Sequence, residues 1–466
     1  MIRRPPRSTP SNSSAASDVY KRQVYDDEGK LLSSTDGSAT ETFTYDSKGR
    51  LQRITYPEGS YLEYAYNDAG LLTSISDNYG NVTQYDYDEA GRLNKVTDGS
   101  GQDLVRYEYD VSGRLTREIM GNGNYTTYEY NKSSRVSRVT NYKKDGSLLS
   151  KFKYEYDERG RTASMEVEYG AEDPRTSGAW EYSYDDLGQL ISWRAPNGEF
   201  TYFKYDAPGN RTEVNHNGIV TPYQVNSMNQ YTRVGDTTYE YDLDGNLIKI
   251  TSPMGTTSIT YDNECRITSL SSSTKDLVFS YDSLGTRSML QMDGQTYIFL
   301  NNPIGYKGVA RIDDAGGNIM KYYQYGVGLV SEKDVLGNSK FYSFDGIGSV
   351  REITDYNGDV TSSFSYTPYG ETQSYGGASN VTYCARYGVR NDGLYDFNMG
   401  TRQFDRNLGR FVTRTPGLPE SRFNAYNYAR NNPNDWIQPM GTYTIRSKDP
   451  SLSSIETHLN DLPSSY

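Results

Sequence analysis

A tyrosine-aspartate pair, followed three residues later by glycine, returns about every 20 residues through roughly the first 60% of this chain. It reads Tyr45-Asp46-Ser47-Lys48-Gly49-Arg50-Leu51, then Tyr87-Asp88 with Gly91, Tyr109-Asp110 with Gly113, Tyr156-Asp157 with Gly160, and Tyr241-Asp242 with Gly245. Further pairs stand at Tyr184-Asp185, Tyr205-Asp206 and Tyr281-Asp282, and most steps are 20 to 22 residues. Self-similarity at a fixed period of this length is the mark of a stacked repeat, so it constrains fold and function together.

Each unit has the form Tyr-x-Tyr-Asp-x-x-Gly-Arg-Leu-x-x-(Val/Ile), as at Tyr107-Glu108-Tyr109-Asp110. Tyrosines two apart share one face of a strand. The Asp carboxylate can accept from the N–H two residues on and so start a turn, for which Gly supplies a positive φ. Arg-Leu-x-x-Val then resumes as a strand, and each repeat is a β-hairpin. Some units depart from the form. Tyr66-Asn67 and Tyr130-Asn131 carry Asn, Ser134 stands where Gly is expected, Tyr261-Asp262 has no Gly, and the unit near Val225-Asn226 lacks the pair. Decay at single positions with the period kept fits residues that set shape, so the repeated Tyr, Asp and Gly read as turn and core. A lone hairpin is marginal in water, whereas stacked hairpins bury one another's faces.

Hydrophobic residues make up 35% of the 466 residues, and 46 residues are Tyr. Tyr must therefore do much of the packing, with its hydroxyl at a polar partner or at water. The net charge of −12 argues against a nucleic-acid-binding surface. No apolar run is long enough for a transmembrane helix. Cys265 and Cys384 lack metal-ligand spacing and read as free thiols, with one long-range disulfide as the alternative. His216 and His458 are far apart, and no nucleophile-base constellation, metal site or cofactor motif is assembled. Gly121-Asn122-Gly123 is a turn. Residues 1–23 resemble translated sequencing-adapter text and lack the apolar segment of a signal peptide, so fold reasoning starts at Val24.

Past about residue 290 the rhythm loosens and a series of motifs follows in fixed order. They are Asp345-Gly346-Ile347-Gly348-Ser349-Val350-Arg351-Glu352, Tyr366-Thr367-Pro368-Tyr369-Gly370, Gly393-Leu394-Tyr395, Arg402-Gln403-Phe404-Asp405-Arg406-Asn407-Leu408-Gly409-Arg410-Phe411, Asn424-Ala425-Tyr426-Asn427-Tyr428 and Asn431-Asn432-Pro433. This series resembles the core of the RHS/YD-repeat family of bacterial type, and the upstream pairs are similar to that family's YD repeats. The resemblance implies an all-β fold: a spiralling sheet of stacked hairpins over 24–290, a core domain over 291–441 that plugs it, and the truncated start of a variable segment over 442–466. About 13 hairpins would make an incomplete shell. Helix is expected to be scarce, with any short one near Pro419–Ala429 or in the tail. The resemblance also implies a scaffold that encapsulates or presents a C-terminal toxin in a secreted or surface-exposed bacterial protein. Its partner would be that C-terminal segment. Related animal proteins use a similar shell for adhesion, which makes a carbohydrate-binding module the alternative.

Toxin-bearing members of that family often cut themselves after the core, with aspartates in two Asp-Pro-x-Gly motifs. Two carboxylates sharing a proton can activate a water. Here the first position falls on Thr415, before Pro416-Gly417-Leu418, and the second on Gln438, before Pro439-Met440-Gly441. Thr442 follows where the cut between Gly441 and Thr442 would lie. Neither Thr nor Gln ionises as a carboxylate, so self-cleavage is expected to be lost and the chain to be no enzyme. Glu420 and Asp435 are nearby acids out of register with the motifs.

Overall fold

The computed structural model describes residues 22–448 apart from 38, 305–307, 392–395, 416–423, 442–443 and 447. Its main body is one antiparallel sheet of 34 strands running from Arg22–Tyr25 to Thr372–Gly376. Every strand pairs with the next in sequence, as Ala39–Tyr45 with Leu51–Thr55 and Leu51–Thr55 with Tyr61–Tyr66. The order is a pure meander of stacked hairpins. Its first strand begins at Arg22 and pairs with Leu31–Asp36, two residues ahead of the Val24 boundary.

The turn chemistry is repeated almost atom for atom. In the first full unit the Asp46 N–H donates to Arg50 O at 2.9 Å, and the Gly49 N–H to Asp46 O at 2.9 Å. Asp46 Oδ1 accepts from the N–H groups of Lys48 and Arg50, while Oδ2 accepts from Arg50 Nε at 2.7 Å. Gly49 sits at φ 80°, and the register shifts by one between Thr44 and Tyr45. This is a type I turn closed by a bulge residue in the left-handed region, which glycine adopts without a Cβ penalty.

The degenerate units keep this geometry. Ser134 (φ 57°) and Cys265 (φ 60°) occupy the glycine position. The unit near Val225 is intact in structure: the Asn226 N–H donates to Gln230 O at 3.0 Å, Asn226 Oδ1 accepts from Met228 and Gln230, and Asn229 takes the left-handed position at φ 61°. Asn replaces both Asp and Gly there because its amide can accept from the turn and tolerates αL. The loosening past residue 290 likewise leaves the sheet uninterrupted to Gly376. Phe344-Asp345 with Gly348 and Tyr366-Thr367 with Gly370 build the same turn. The sheet thus holds more hairpins than the 13 or so read from sequence.

Strand faces alternate. In Leu148–Tyr156, Phe152 and Tyr154 are buried, while Lys151 and Lys153 point outward to Glu168 and Glu166 on the next strand. Lys249–Glu240 and Arg138–Glu129 repeat the outer pairing. Inner-face residues from Val96 to Phe364 form one apolar cluster with Val381, Tyr383, Phe397, Phe404, Phe411, Tyr428 and Ile437 of the following segment.

The sheet spirals back on itself. Tyr56 donates its hydroxyl to Asn301 O, Tyr64 to Asn302 Oδ1 at 3.0 Å, and Arg311 Nη1 to Asp77 at 2.9 Å. Further along, the Val327 N–H donates to Tyr107 Oη and the Gly346 N–H to Tyr154 Oη, both at 2.8 Å. Hairpins therefore meet others some 190 to 250 residues later, one circuit on.

After Gly376 the chain leaves the meander. It forms a 3₁₀ turn at Ala385–Tyr387, a small sheet of Arg390–Asn391, Asp396–Met399, Arg402–Asp405 and Arg410–Phe411, a second 3₁₀ turn at Ala429–Asn431, and a two-stranded ribbon of Trp436–Ile437 with Ile445–Arg446. No α-helix occurs among the described residues. The second 3₁₀ turn falls at the end of the stretch where a short helix was expected. Both cysteines are free, so the long-range disulfide is not formed.

Candidate functional site

The repeat tyrosine does more than pack. Its hydroxyl reaches back to the carbonyl of the residue that opens the return strand of the previous hairpin. Tyr66 donates to Leu51 O at 2.9 Å, Tyr87 to Leu72 O at 2.8 Å, Tyr109 to Leu93 O at 2.7 Å and Tyr156 to Val136 O at 2.6 Å. The bulge frees that carbonyl, and the next tyrosine fills it. The repeat arginine completes the link: Arg50 lies 4.6 Å over the ring of Tyr66, Arg92 4.8 Å over Tyr109 and Arg114 4.5 Å over Tyr130. Asp, Arg and the following Tyr form a chain of charge-assisted and cation-π contacts from hairpin to hairpin. The Arg114 side chain and backbone N–H donors hold the Asp110 carboxyl below its ordinary pKa.

The segment after Gly376 docks on the inner side of consecutive repeat turns, and it uses the repeat glycines to do so. Tyr426 donates its hydroxyl to Gly245 O at 2.7 Å, Asn431 Nδ2 to Gly209 O at 2.8 Å and Arg446 Nη2 to Gly160 O at 3.1 Å. Gly245 is doubly required: φ is 86°, and a Cβ would stand 2.5 Å from Arg414 Cδ and 2.7 Å from Tyr426 Oη. Arg410 and Asn424 reach Asn210, Asn434 reaches the Tyr184 hydroxyl, and Asp435 accepts from the Thr162 N–H and hydroxyl. On the other flank Arg386 pairs with buried Glu118 and donates to the Tyr128 hydroxyl at 2.9 Å. These partners lie 180 to 290 residues apart in sequence.

The ribbon carries the chain inward. Ile445–Arg446 pairs with Trp436–Ile437, and Lys448 is only 8% exposed, its ammonium over the rings of Tyr154 and Tyr156. Burial lowers its pKa although Asp435 lies 3.6 Å away.

Around Gly441 a second constellation forms. Arg402, 3% exposed, donates from Nη1 to Gly441 O at 2.9 Å and from Nη2 to Thr413 O at 2.5 Å and Ala425 O at 2.8 Å. The Thr415 hydroxyl donates to the same Ala425 carbonyl at 2.9 Å, so Thr415 and Arg402 are neighbours. Gln438 Oε1 accepts from the Ala429 N–H at 2.7 Å, and Gln438 O from the Gly441 N–H at 2.9 Å. Arg402 ion-pairs with no carboxylate among the described residues, and burial pulls its pKa down to about 9. The Gln438 side chain thus turns to the Ala429 N–H instead, while Thr415 and Gly441 share the Arg402 guanidinium, which sequence reading passed over although it heads its motif. Its signal was position: an Arg opening a buried strand with no acid in register. Thr442, Pro416, Gly417, Glu420 and the Gly393-Leu394-Tyr395 motif lie outside the described residues. Asp435 is engaged with Thr162, Asn432 and Lys448. His216 hydrogen-bonds Thr201 and Asn217 and lies near the ring of Trp193, and no cluster of three or more metal-ligating side chains occurs among the described residues.

A hairpin spiral closed side to side by its own tyrosines and stopped by an inward-folded segment defines a β-shell protein with an internal plug. The teneurin YD-shell profile matches residues 139–450, and the RHS repeat profile matches 25–61 and 66–103. The chain belongs to the teneurin YD-shell family. It is 25% identical to mouse teneurin-3 over 64% of its length, and 25% identical to human teneurin-1 over 63%. It spans 11% of each of those relatives. Among solved structures it resembles the TcdB2-TccC3-Cdc42 crystal structure, with a TM-score of 0.71 and 17% identity over 91% of this chain and 25% of that one. It also resembles a Photorhabdus luminescens Tc holotoxin pore, with a TM-score of 0.66 and 16% identity over 91% of this chain and 24% of that one. At these identities the structural likeness speaks for the fold.

Proposed function

We propose that this chain is the plug-bearing part of a non-catalytic β-shell that encloses or presents the polypeptide following the plug, in a secreted or surface-exposed bacterial toxin of the RHS kind. The observation that carries this reading is the path of the chain after Gly441. It turns back into the shell as a strand, and Lys448 is buried against the inner-face tyrosines. Lys448, the last described residue, thus lies against the inner face of the wall. The likeness in fold to the Tc holotoxin pore supports a toxin context. The neutral side chains at Thr415 and Gln438 support a core that does not cut itself.

Trypsin tests the path. No Lys or Arg follows Lys448, so cleavage there removes residues 449–466 as a single mass step. In the folded chain this cleavage is expected to run at least about tenfold slower than in a synthetic peptide of residues 436–466, because it must await local opening. Equal rates would place the tail outside and defeat the reading.

A further inference from the structure

Successive circuits of the spiral meet through turns and side chains. They touch where Arg311 grips Asp77 and again where the Val327 N–H meets the Tyr107 hydroxyl. Between these contacts lies a cavity of about 340 Å³, lined by Asn81, Tyr85 and Gln102 of the earlier circuit and by Tyr323, Tyr325 and Lys333 of the later one. The bordering strands are already paired on both sides: Val82–Tyr87 between its two neighbours, and Ile319–Gly326 between its own. They offer no free edge, so a peptide cannot enter by adding a strand.

The lining asks for a different ligand. Tyr323 is 5% exposed, and its hydroxyl is buried with no hydrogen-bond partner. Arg390 and Lys321 lie over its ring at 5.2 and 5.8 Å. A buried hydroxyl of this kind wants a partner. The charged lining residues pair off: Asp77 with Arg311, and Asp98 with Lys333 at 3.9 Å; beneath the Tyr323 ring, Lys321 is paired with Glu332. Tyrosines, side-chain amides and an unpartnered tyrosine hydroxyl among lining residues whose charges pair off match a neutral polyhydroxylated ring. The volume lies at the lower end for ligand pockets. We propose that this seam cavity binds a neutral saccharide of one or two rings. The site needs only the closure of the circuits and is independent of any enclosed cargo.

Saturation-transfer NMR on the full chain tests it, with maltose, cellobiose and N,N′-diacetylchitobiose at millimolar concentration. At least one is expected to receive saturation, and its affinity to fall about three- to tenfold in Tyr323→Phe, the loss of one neutral hydrogen bond. That variant removes a hydroxyl with no partner in the protein, so its melting temperature should hold. Tyr202→Phe, at a half-exposed ring outside the cavity, should bind as the parent does. An array of immobilised glycans, run alongside, separates a surface-glycan ligand from a free sugar. No transfer to any of the three sugars, or transfer unchanged in Tyr323→Phe, would overturn the assignment; the latter would leave the hydroxyl to a buried water.

Discussion

Each letter of the repeat has a separate job at the scale of single residues. Asp closes the turn, Gly supplies its positive φ, Arg ties Asp to the next hairpin and Tyr caps the carbonyl the bulge leaves open. Two substitutions weigh these roles against each other. Tyr66→Phe should cost about 1 kcal/mol, the net worth of one buried hydrogen bond. Ser134→Gly should gain about 1 kcal/mol by relieving a left-handed residue with a Cβ. Paired thermal melts should therefore move in opposite directions. The Gly441 site gives the sharper residue-scale prediction. Among the described residues Arg402 is a buried cation without a counter-charge, a costly state. Thr415→Asp together with Gln438→Asp puts carboxylates at both motif positions, the first of them neighbouring Arg402, and the expected result is a fragment whose first residue is Thr442, detected by N-terminal sequencing. The parent chain should stay a single band by intact mass.

At the scale of elements, the hairpin was legible from sequence and the seam between circuits was not. The turn is written in five consecutive residues, and its hydrogen bonds close within them. The seam joins Glu41 to Ser283 and Tyr64 to Asn302, residues with nothing in their local pattern to mark them. Asp282 belongs to a repeat pair, yet it is buried at this seam, and desolvation pushes its carboxyl up to about 7. Burial raises Glu41 beside it as well. A folded pKa above the unfolded value means the folded state binds protons that the unfolded state releases. This stabilising contribution is full below about pH 4 and is lost as pH rises through about 7. Once corrected for the intrinsic pH dependence of exchange, amide protection around Ser283 should therefore be greater at pH 5 than at pH 8, and Asp282→Asn should flatten that difference.

For the whole molecule, the wall from Val96 onward and the plug share one core, while the first hairpins pack a separate cluster with Leu300. Phe364 and Tyr366 of the last hairpins pack with Tyr383 and Phe397 of the plug through ring contacts of 5.2 to 6.4 Å. A chain ending at Gly376 would leave this apolar surface open to water, and such patches drive association. It should bind a hydrophobic dye strongly and run as aggregates in size-exclusion chromatography, while the full chain elutes as a discrete species.

The sequence by itself determined the hairpin, its turn, the alternation of faces and the all-β class, because each rests on contacts within about ten residues and on a period of two. Even the failures were local: near Val225 the expected Asp and Gly were missing, but Asn226 and Asn229 supply the same donors, acceptors and φ. Only the tertiary structure decided which hairpin meets which across a circuit, that the repeat glycines at 160, 209 and 245 are also docking points, and that Arg402 holds the Gly441 carbonyl. Those contacts depend on how far a twisted sheet travels before it returns, a sum of many small strand-to-strand rotations that no single residue encodes.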